Sequence, residues 1–478
     1  MEPTQLDTHH KAVQINMDKA KYGTFAEIGA GQEVARWFFR VGGAAGTIAK
    51  SISAYDMTVS DAIYGASGRY VSRQRVETML SYEYHLMNER LCAERGENTR
   101  FFVFADTVAT KSYTRKDNWH GWMGIRFQPV PGSEPSQIIL HVSLLDRETV
   151  LQQEAIGILG VNLIHAALYG TDSTALVREL LDDLSSERIE IDLIDFSGPA
   201  FAQVDNRLMI LELVHCGLSD AAMFMPDGKV VEPAEAFYKR PVLVLRGRFR
   251  PVTNVVVDML HCALDQFLRE PANHGEEVLV VTEMTLRNLQ EGEAIDHRDF
   301  LDRVDLLRTL GRPVLISNFG EYYRLANYLH RHTTKLTGLV MGVPTLREIF
   351  DEKYYVHLAG GILESFGRMF KNDLKLYVYP FLDSDTKTIV TADLLSVAPK
   401  LQHLYNHLIV NQHIQPVRDF NRDCLSMLNL SRDVFRRLQE GDPTWVDDVP
   451  ANVALLICQQ HLLGYSPEKF EDDAGKPC

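Results

Sequence analysis

The sequence predicts an α/β protein with a mainly parallel sheet in its C-terminal half, a mixed α+β domain before that sheet and helices after it. Three observations carry this. Between 241 and 380, short β-branched runs (PVLVL, EVLVV, RPVLI, TGLVM, LKLYV) alternate with amphipathic segments, the order that builds parallel βαβ units. From 101 to 146, FFVFADTVAT, WMGIRFQPV and IILHVSLLD follow one another across the polar loops KSYTRKDNWHG and PGSEPSQ, and that short spacing favours antiparallel neighbours. From 411 to 465, PVRDFNRDCLSML, SRDVFRRLQEG and ANVALLICQQHLLGY read as helices. The expected domains are 1–235, 236–410 and 411–478.

Composition bounds the function. A chain of 478 residues, 45% hydrophobic, has room for two or three domains. Its net charge of −15 argues against a nucleic-acid partner, which calls for a basic footprint. MEPTQLDTHH has no apolar core like that of a signal peptide, and the most apolar stretch, 155–170, is interrupted by Asn162 and His165. A cytoplasmic protein with no membrane partner is the expectation. The six cysteines show no short-spaced pair, so neither a disulfide framework nor a metal site is predicted.

Taken in order, residues 1–20 are polar. FAEIGAGQEVARWFFR (25–40) places Gly29-x-Gly31 before an amphipathic helix, read either as a nucleotide loop or as a helix cap with close packing. The segment 42–56 does not read as a strand, and Gly42, Gly43 and Gly46 suggest close backbone approach. A long helix is predicted over 69–95. In the strand region Asp106, His120, Arg126, His141 and Asp146 sit at or near strand ends, where acid, base and guanidinium together would make a catalytic cleft. The tryptophans of WHGW (119–122) read as a base-stacking pair or as cover for a core edge. Helices are expected at 147–169 and 172–185, and strands at 188–198 and 208–217.

The stretch PVLVLRGRFRPVTNVVVDML (241–260) reads as a strand, a tight turn and a helix. The unpaired N–H groups at such a helix start favour an anion. Arg246, Arg248 and Arg250 are spaced by two, so on extended backbone their guanidiniums share a side.

The same residues, Gly247-x-Phe249-x-Pro251-Val252-Thr253-Asn254, resemble the phosphate-binding signature of the nucleotidylyltransferases, closest to the nicotinamide mononucleotide adenylyltransferases. Gly342-Val343-Pro344-Thr345-Leu346 resembles a second segment of that family, with Thr345 in place of an aspartate. The resemblance covers about 240–410 and implies a Rossmann-like domain. It further implies nucleotide or phosphate contacts from Arg246, Gly247, Arg248, Phe249, Arg250, Pro251, Thr253, Asn254, Gly342, Thr388 and Thr391. ATP and a mononucleotide would be the partners, and Mg2+ the counter-charge. Val256 stands where the family has a histidine, and Asp393 where it has a basic residue. His261 lies about 140° further around the helix. No catalytic residue is assigned to this domain.

Three readings stay open. One is nicotinamide or nicotinate mononucleotide adenylyl transfer in NAD biosynthesis. Another is a catalytically degenerate nucleotide-binding protein or homo-oligomeric scaffold. In a third, the N-terminal domain holds an unrelated catalytic site and the C-terminal domain senses nucleotide.

Overall fold

The computed structural model describes residues 6–29, 32–111, 119–291, 294–383, 386–425 and 430–470. The chain divides into two compact units, Met1–Ala222 and Met223–Cys478.

The first unit is built on strands β1 (Lys21–Gly29), β2 (Ile48–Ile52), β3 (Arg100–Ala109), β4 (His120–Phe127), β5 (Ser136–Leu144) and β6 (Ile189–Ser197). Their order in the sheet is β2-β1-β3-β4-β5-β6. β1 is parallel to both β2 and β3, while β3 to β6 form the expected antiparallel meander. One face carries the helix Arg73–Arg95: a Cβ on Gly124 would meet its Leu80 at 3.0 Å. The other carries the helix Glu33–Val41, whose Phe38 packs on Phe25 of β1, and the helix Thr149–Tyr169 behind it. That last helix is apolar all round, and Ala155 to Leu168 are all buried, which suits a central core helix. No described helix is long and apolar enough to cross a membrane.

Three local expectations are corrected. Residues 48–52 are a strand, so β1, the helix Glu33–Val41 and β2 form a βαβ unit; Gly31 of its loop lies outside the described residues. The second concerns the glycines of 42–46. Gly42 and Gly43 serve a turn, with φ of 83° and 79°, and among the described residues no atom would lie within 4 Å of a Cβ on Gly42 or Gly46. Close packing against the helix Glu33–Val41 falls instead at Gly160, where a Cβ would lie 2.4 Å from Val34. Finally, 208–217 belongs to a helix, Asn206–His215, and not to a strand. The run LMILEL is apolar without a clear period, and Asp205 settles its state by capping the Arg207 N–H at 2.9 Å.

The second unit has the predicted mainly parallel sheet. Its strands are β7 (Ala221–Phe224, which spans the division), β8 (Val230–Val231), β9 (Val242–Arg246), β10 (Leu279–Thr285), β13 (Val314–Ser317), β14 (Thr337–Gly342), β15 (Leu374–Tyr379) and β18 (Ile414–Pro416). Two small antiparallel ribbons branch from it: β11 (Gln290–Glu291) with β12 (Ala294–Ile295), and β16 (Phe381–Leu382) with β17 (Ile389–Val390). The sheet order is β18-β15-β14-β9-β10-β13-β7-β8, parallel from β18 to β13 and antiparallel between β7 and β8. β18 lies where helix was expected. The helices that follow are Arg422–Leu425, Leu430–Glu440 and Ala451–Gln460. Of the predicted helix PVRDFNRDCLSML, 426–428 fall outside the described residues.

Candidate functional site

The loop after β9 lies at the carboxyl edge of the parallel sheet, as the strand-turn-helix pattern predicts. Its arginines do not share a side, because the strand ends at Arg246. Arg246 faces Glu283 across the β9–β10 pair and donates to both its carboxylate oxygens, at 2.8 and 2.9 Å. Ser317 Oγ adds a third donor to Glu283 at 2.6 Å, and the Tyr322 ring lies 4.4 Å from the guanidinium. Arg250 turns the other way. Its Nε stands 2.7 Å from Asp299 Oδ1, and its guanidinium lies 3.9 Å from the Phe435 ring. Arg303 also pairs with Asp299 and donates to the Asn288 carbonyl at 2.8 Å.

The other predicted contacts are dispersed. Arg248 is exposed, Pro251 is buried, and Phe249 folds back so that its ring would touch a Cβ on Gly247 at 2.9 Å. Thr253 flanks the helix Asn254–Leu268 but is buried and makes no side-chain cap bond. Asn254 Nδ2 donates to the Asp447 carbonyl at 3.1 Å. Val256 is half-buried and His261 exposed. Gly342 ends β14, Thr388 shares a hydroxyl contact of 2.7 Å with Thr386, and Thr391 bonds Asp393.

In the first unit, the structure brings together two of the five residues singled out there. His120, at the start of β4, and His141, on β5, join through Nδ1 and Nε2 at 2.9 Å. His141 Nδ1 meets Asp192 Oδ1 at 2.5 Å, and Ser143 Oγ donates to Asp192 Oδ2 at 2.8 Å. Trp122 packs on the His141 ring with centroids 4.7 Å apart. His141 is 1% exposed and Asp192 7%. The carboxylate fixes the ring states: it accepts from His141 Nδ1–H, which leaves His141 Nε2 to accept from His120 Nδ1–H.

A β-bulge aims Asp192. On β6, Ile191 pairs with Val142 and Leu193 with His141, so Asp192 has no partner of its own. The extra residue swings its side chain onto the polar row of His141 and Ser143, a known use of bulges beside reactive groups. Sequence reading missed Asp192 and Ser143: Ile189, Ile191 and Leu193 alternate strictly through Asp192, and the period of two breaks only at the adjacent Leu193 and Ile194, so the pattern does not single out Asp192.

The remaining three residues go elsewhere. Arg126 donates to Gln137 at 3.0 Å and to Ser81 at 2.9 Å, and Asp146 holds Arg188 at 2.9 Å. Asp106 is fully buried on β3 opposite Glu27 of β1.

No protein-family model and no curated protein matches the chain. Solved structures similar to part of it include the competence/damage-inducible protein CihA of Agrobacterium tumefaciens (15% identity, 35% of this chain and 98% of that one, TM-score 0.24). Others are ComA of Klebsiella pneumoniae (11% identity, 35% and 100%, TM-score 0.27) and a CinA-superfamily protein of Escherichia coli (15% identity, 36% and 88%, TM-score 0.23). The adenylyltransferase resemblance is corrected, together with the adenylyl-transfer, NAD-biosynthesis and degenerate-enzyme readings drawn from it: the solved structures similar to part of the chain are those of the competence/damage-inducible group. The physical reason is visible in the loop, where Arg246 and Arg250 are each matched by a carboxylate of their own fold.

Proposed function

We propose that the first unit is a general acid–base catalyst working through His120. The observation that carries this is the unbroken hydrogen-bonded chain from Asp192 through His141 to His120. A proton taken up by the His120 imidazole, from a substrate or from its attacking water, makes an imidazolium. The Nδ1 proton of His120 then passes to His141 Nε2, so the positive charge settles beside the Asp192 carboxylate. Asp192 stays ionised throughout; it holds the His141 tautomer and stabilises the charge that develops. Ser143 and Trp122 position the carboxylate and the ring, and neither reacts. Hydrolysis and proton abstraction from a small substrate are the reaction classes such a chain serves.

The test is turnover across a panel of chromogenic esters, amides and phosphoesters, followed on the best substrate. Asp192→Asn and His120→Ala should each lower kcat by about 10²–10⁴-fold, the usual worth of a positioned acid–base group. In the wild-type protein, nitrogen-15 NMR of the imidazoles should show His141 protonated at Nδ1. Full turnover in both variants, or a His141 protonated only at Nε2, would overturn the assignment.

A further inference from the structure

The second unit holds a cleft of its own. Its chain runs from β9 through β10 to β13 on one side, then returns to place β14 on the other flank of β9. Connections leaving the carboxyl ends of these strands part above β9, and this reversal is where open α/β sheets receive ligands. A cleft of 90 Å³ lies among those connections. Arg287 lines it from the short helix Leu286–Leu289 after β10, Tyr322 from the start of the helix Tyr322–His332 after β13, and Thr345 and Glu348 from the helix Val343–Ile349 after β14. Tyr322 rests on Arg246, which Glu283 grips from β10, so this wall is tied to the end of β9.

Two opposite charges in the cleft are unused. Among the described residues, neither Arg287 nor Glu348 has an ion-pair partner, and they are not paired with each other. The charges around them are matched: Arg246 by Glu283 at 2.8 Å, Arg250 by Asp299 at 2.7 Å, and Glu321 by Arg324 at 3.2 Å. The hydroxyls of Tyr322 and Thr345 likewise have no hydrogen-bond partner among the described residues. Burial pushes the Tyr322 phenol up to about 12, so at neutral pH it is a donor. The cleft thus offers one guanidinium, one carboxylate and two hydroxyls to a guest.

We propose that this cleft binds a small zwitterion, an amino acid of glycine-to-alanine size, with its carboxylate on Arg287 and its ammonium on Glu348. A guanidinium matches a carboxylate with two parallel N–H bonds, and Glu348 supplies the acceptor an ammonium needs. A ligand carrying a single charge would leave the other wall unanswered. Size points the same way. A cavity of about 150 Å³ takes the six carbons of a benzene, so 90 Å³ suits roughly four non-hydrogen atoms, which favours glycine, the smallest amino acid. This site belongs to the second unit and the His120 chain to the first, and neither reading depends on the other.

The full chain is titrated calorimetrically with glycine and L-alanine, and in parallel with acetate and methylammonium, which each present half of the ligand. The expected result is saturable binding of at least one of the two amino acids, with acetate and methylammonium at least about tenfold weaker. Arg287→Gln and Glu348→Gln should each weaken binding by at least about tenfold, the scale of one charge-assisted hydrogen bond. Arg287 and Glu348 are exposed, so both variants should keep the wild-type circular dichroism. If either variant misfolds, the wild-type comparison of amino acid with acetate decides alone. No saturable heat from glycine or L-alanine, acetate binding as tightly as either, or unchanged affinity in a folded Arg287→Gln protein would each overturn the proposal.

Discussion

Glu27 of β1 and Asp106 of β3 occupy paired positions on neighbouring parallel strands, 2% and 0% exposed, and both carboxyl groups are driven toward their neutral forms. Burial is the larger cause for each, and the charge of Glu27 adds to it at Asp106. Glu27 has partial relief from the helix Glu33–Val41, whose Ala35 N–H donates to it at 3.4 Å. Asp106 has less: among the described residues neither of its oxygens has a partner at full hydrogen-bond geometry, and the Ile28 N–H offsets only part of the cost of burial. Two carboxyls so placed cannot both ionise without large cost.

This pair gives the first unit a pH dependence opposite to ordinary acid denaturation. Glu27 is raised from 4.5 to about 8, so between those values the folded protein holds a proton that the unfolded chain has released. Stability is therefore highest at the acid end of that window and falls as pH rises, by up to about 1.4 kcal/mol per pH unit. Urea midpoints at pH 5, 6.5 and 8 should decline in sequence, and Asp106→Asn should flatten the decline. A flat or rising series in the wild-type protein would contradict the pairing.

Breaking the Arg246–Glu283 pair should be costly. Glu283 is 0% exposed and holds both Arg246 and Ser317, so Glu283→Gln strands a buried guanidinium. The expected loss is about 3–5 kcal/mol. Equilibrium denaturation with an unchanged slope would measure it, and a loss below about 1 kcal/mol would mean solvent already reaches the pair.

Two glycines should respond in opposite ways to the same substitution. At Gly160 an added methyl meets Val34 at 2.4 Å between two packed helices, so Gly160→Ala should cost about 1–3 kcal/mol. At Gly46 the same methyl meets nothing within 4 Å among the described residues, so Gly46→Ala should be neutral or stabilise by up to about 1 kcal/mol. Melting temperatures of the two variants compare them directly.

The cysteines should differ in reactivity. Burial, then the neighbouring Asp258, pushes the Cys262 thiol up to about 12, and burial with Glu212 pushes Cys216 up to about 11. Both stay protonated and slow at pH 8, because the thiolate is the nucleophile. Exposed Cys92 should label first with a thiol reagent. Asp258→Asn should speed labelling of Cys262, and peptide mapping of the modified protein reads out the order.

Much of the fold was legible in the sequence, because elements such as 242–246 and 101–109 have unambiguous composition and length. What escaped was decided by tertiary context. IAKSI is too mixed to read as a strand until β1 pairs with it, and LMILEL is apolar on every side until Asp205 caps it. The site was legible only in pieces. His120 and His141 were visible as residue types near strand ends, but the carboxylate that holds His141 comes from a strand 51 positions further on. The arginines of 246–250 were visible as charges, while Glu283 and Asp299, which claim them, lie on other elements.

The unpaired position of Asp192 has a consequence for editing the chain. Deleting Asp192 alone would leave Ile191 opposite Val142 and Leu193 opposite His141, their present partners, with the apolar row of β6 in strict alternation. The shortened strand would form a regular ladder and would no longer bury a carboxylate. The deletion should therefore fold at least as well as the parent while losing the group that orients His141. The sheet does not need this residue for its register, and the histidines do.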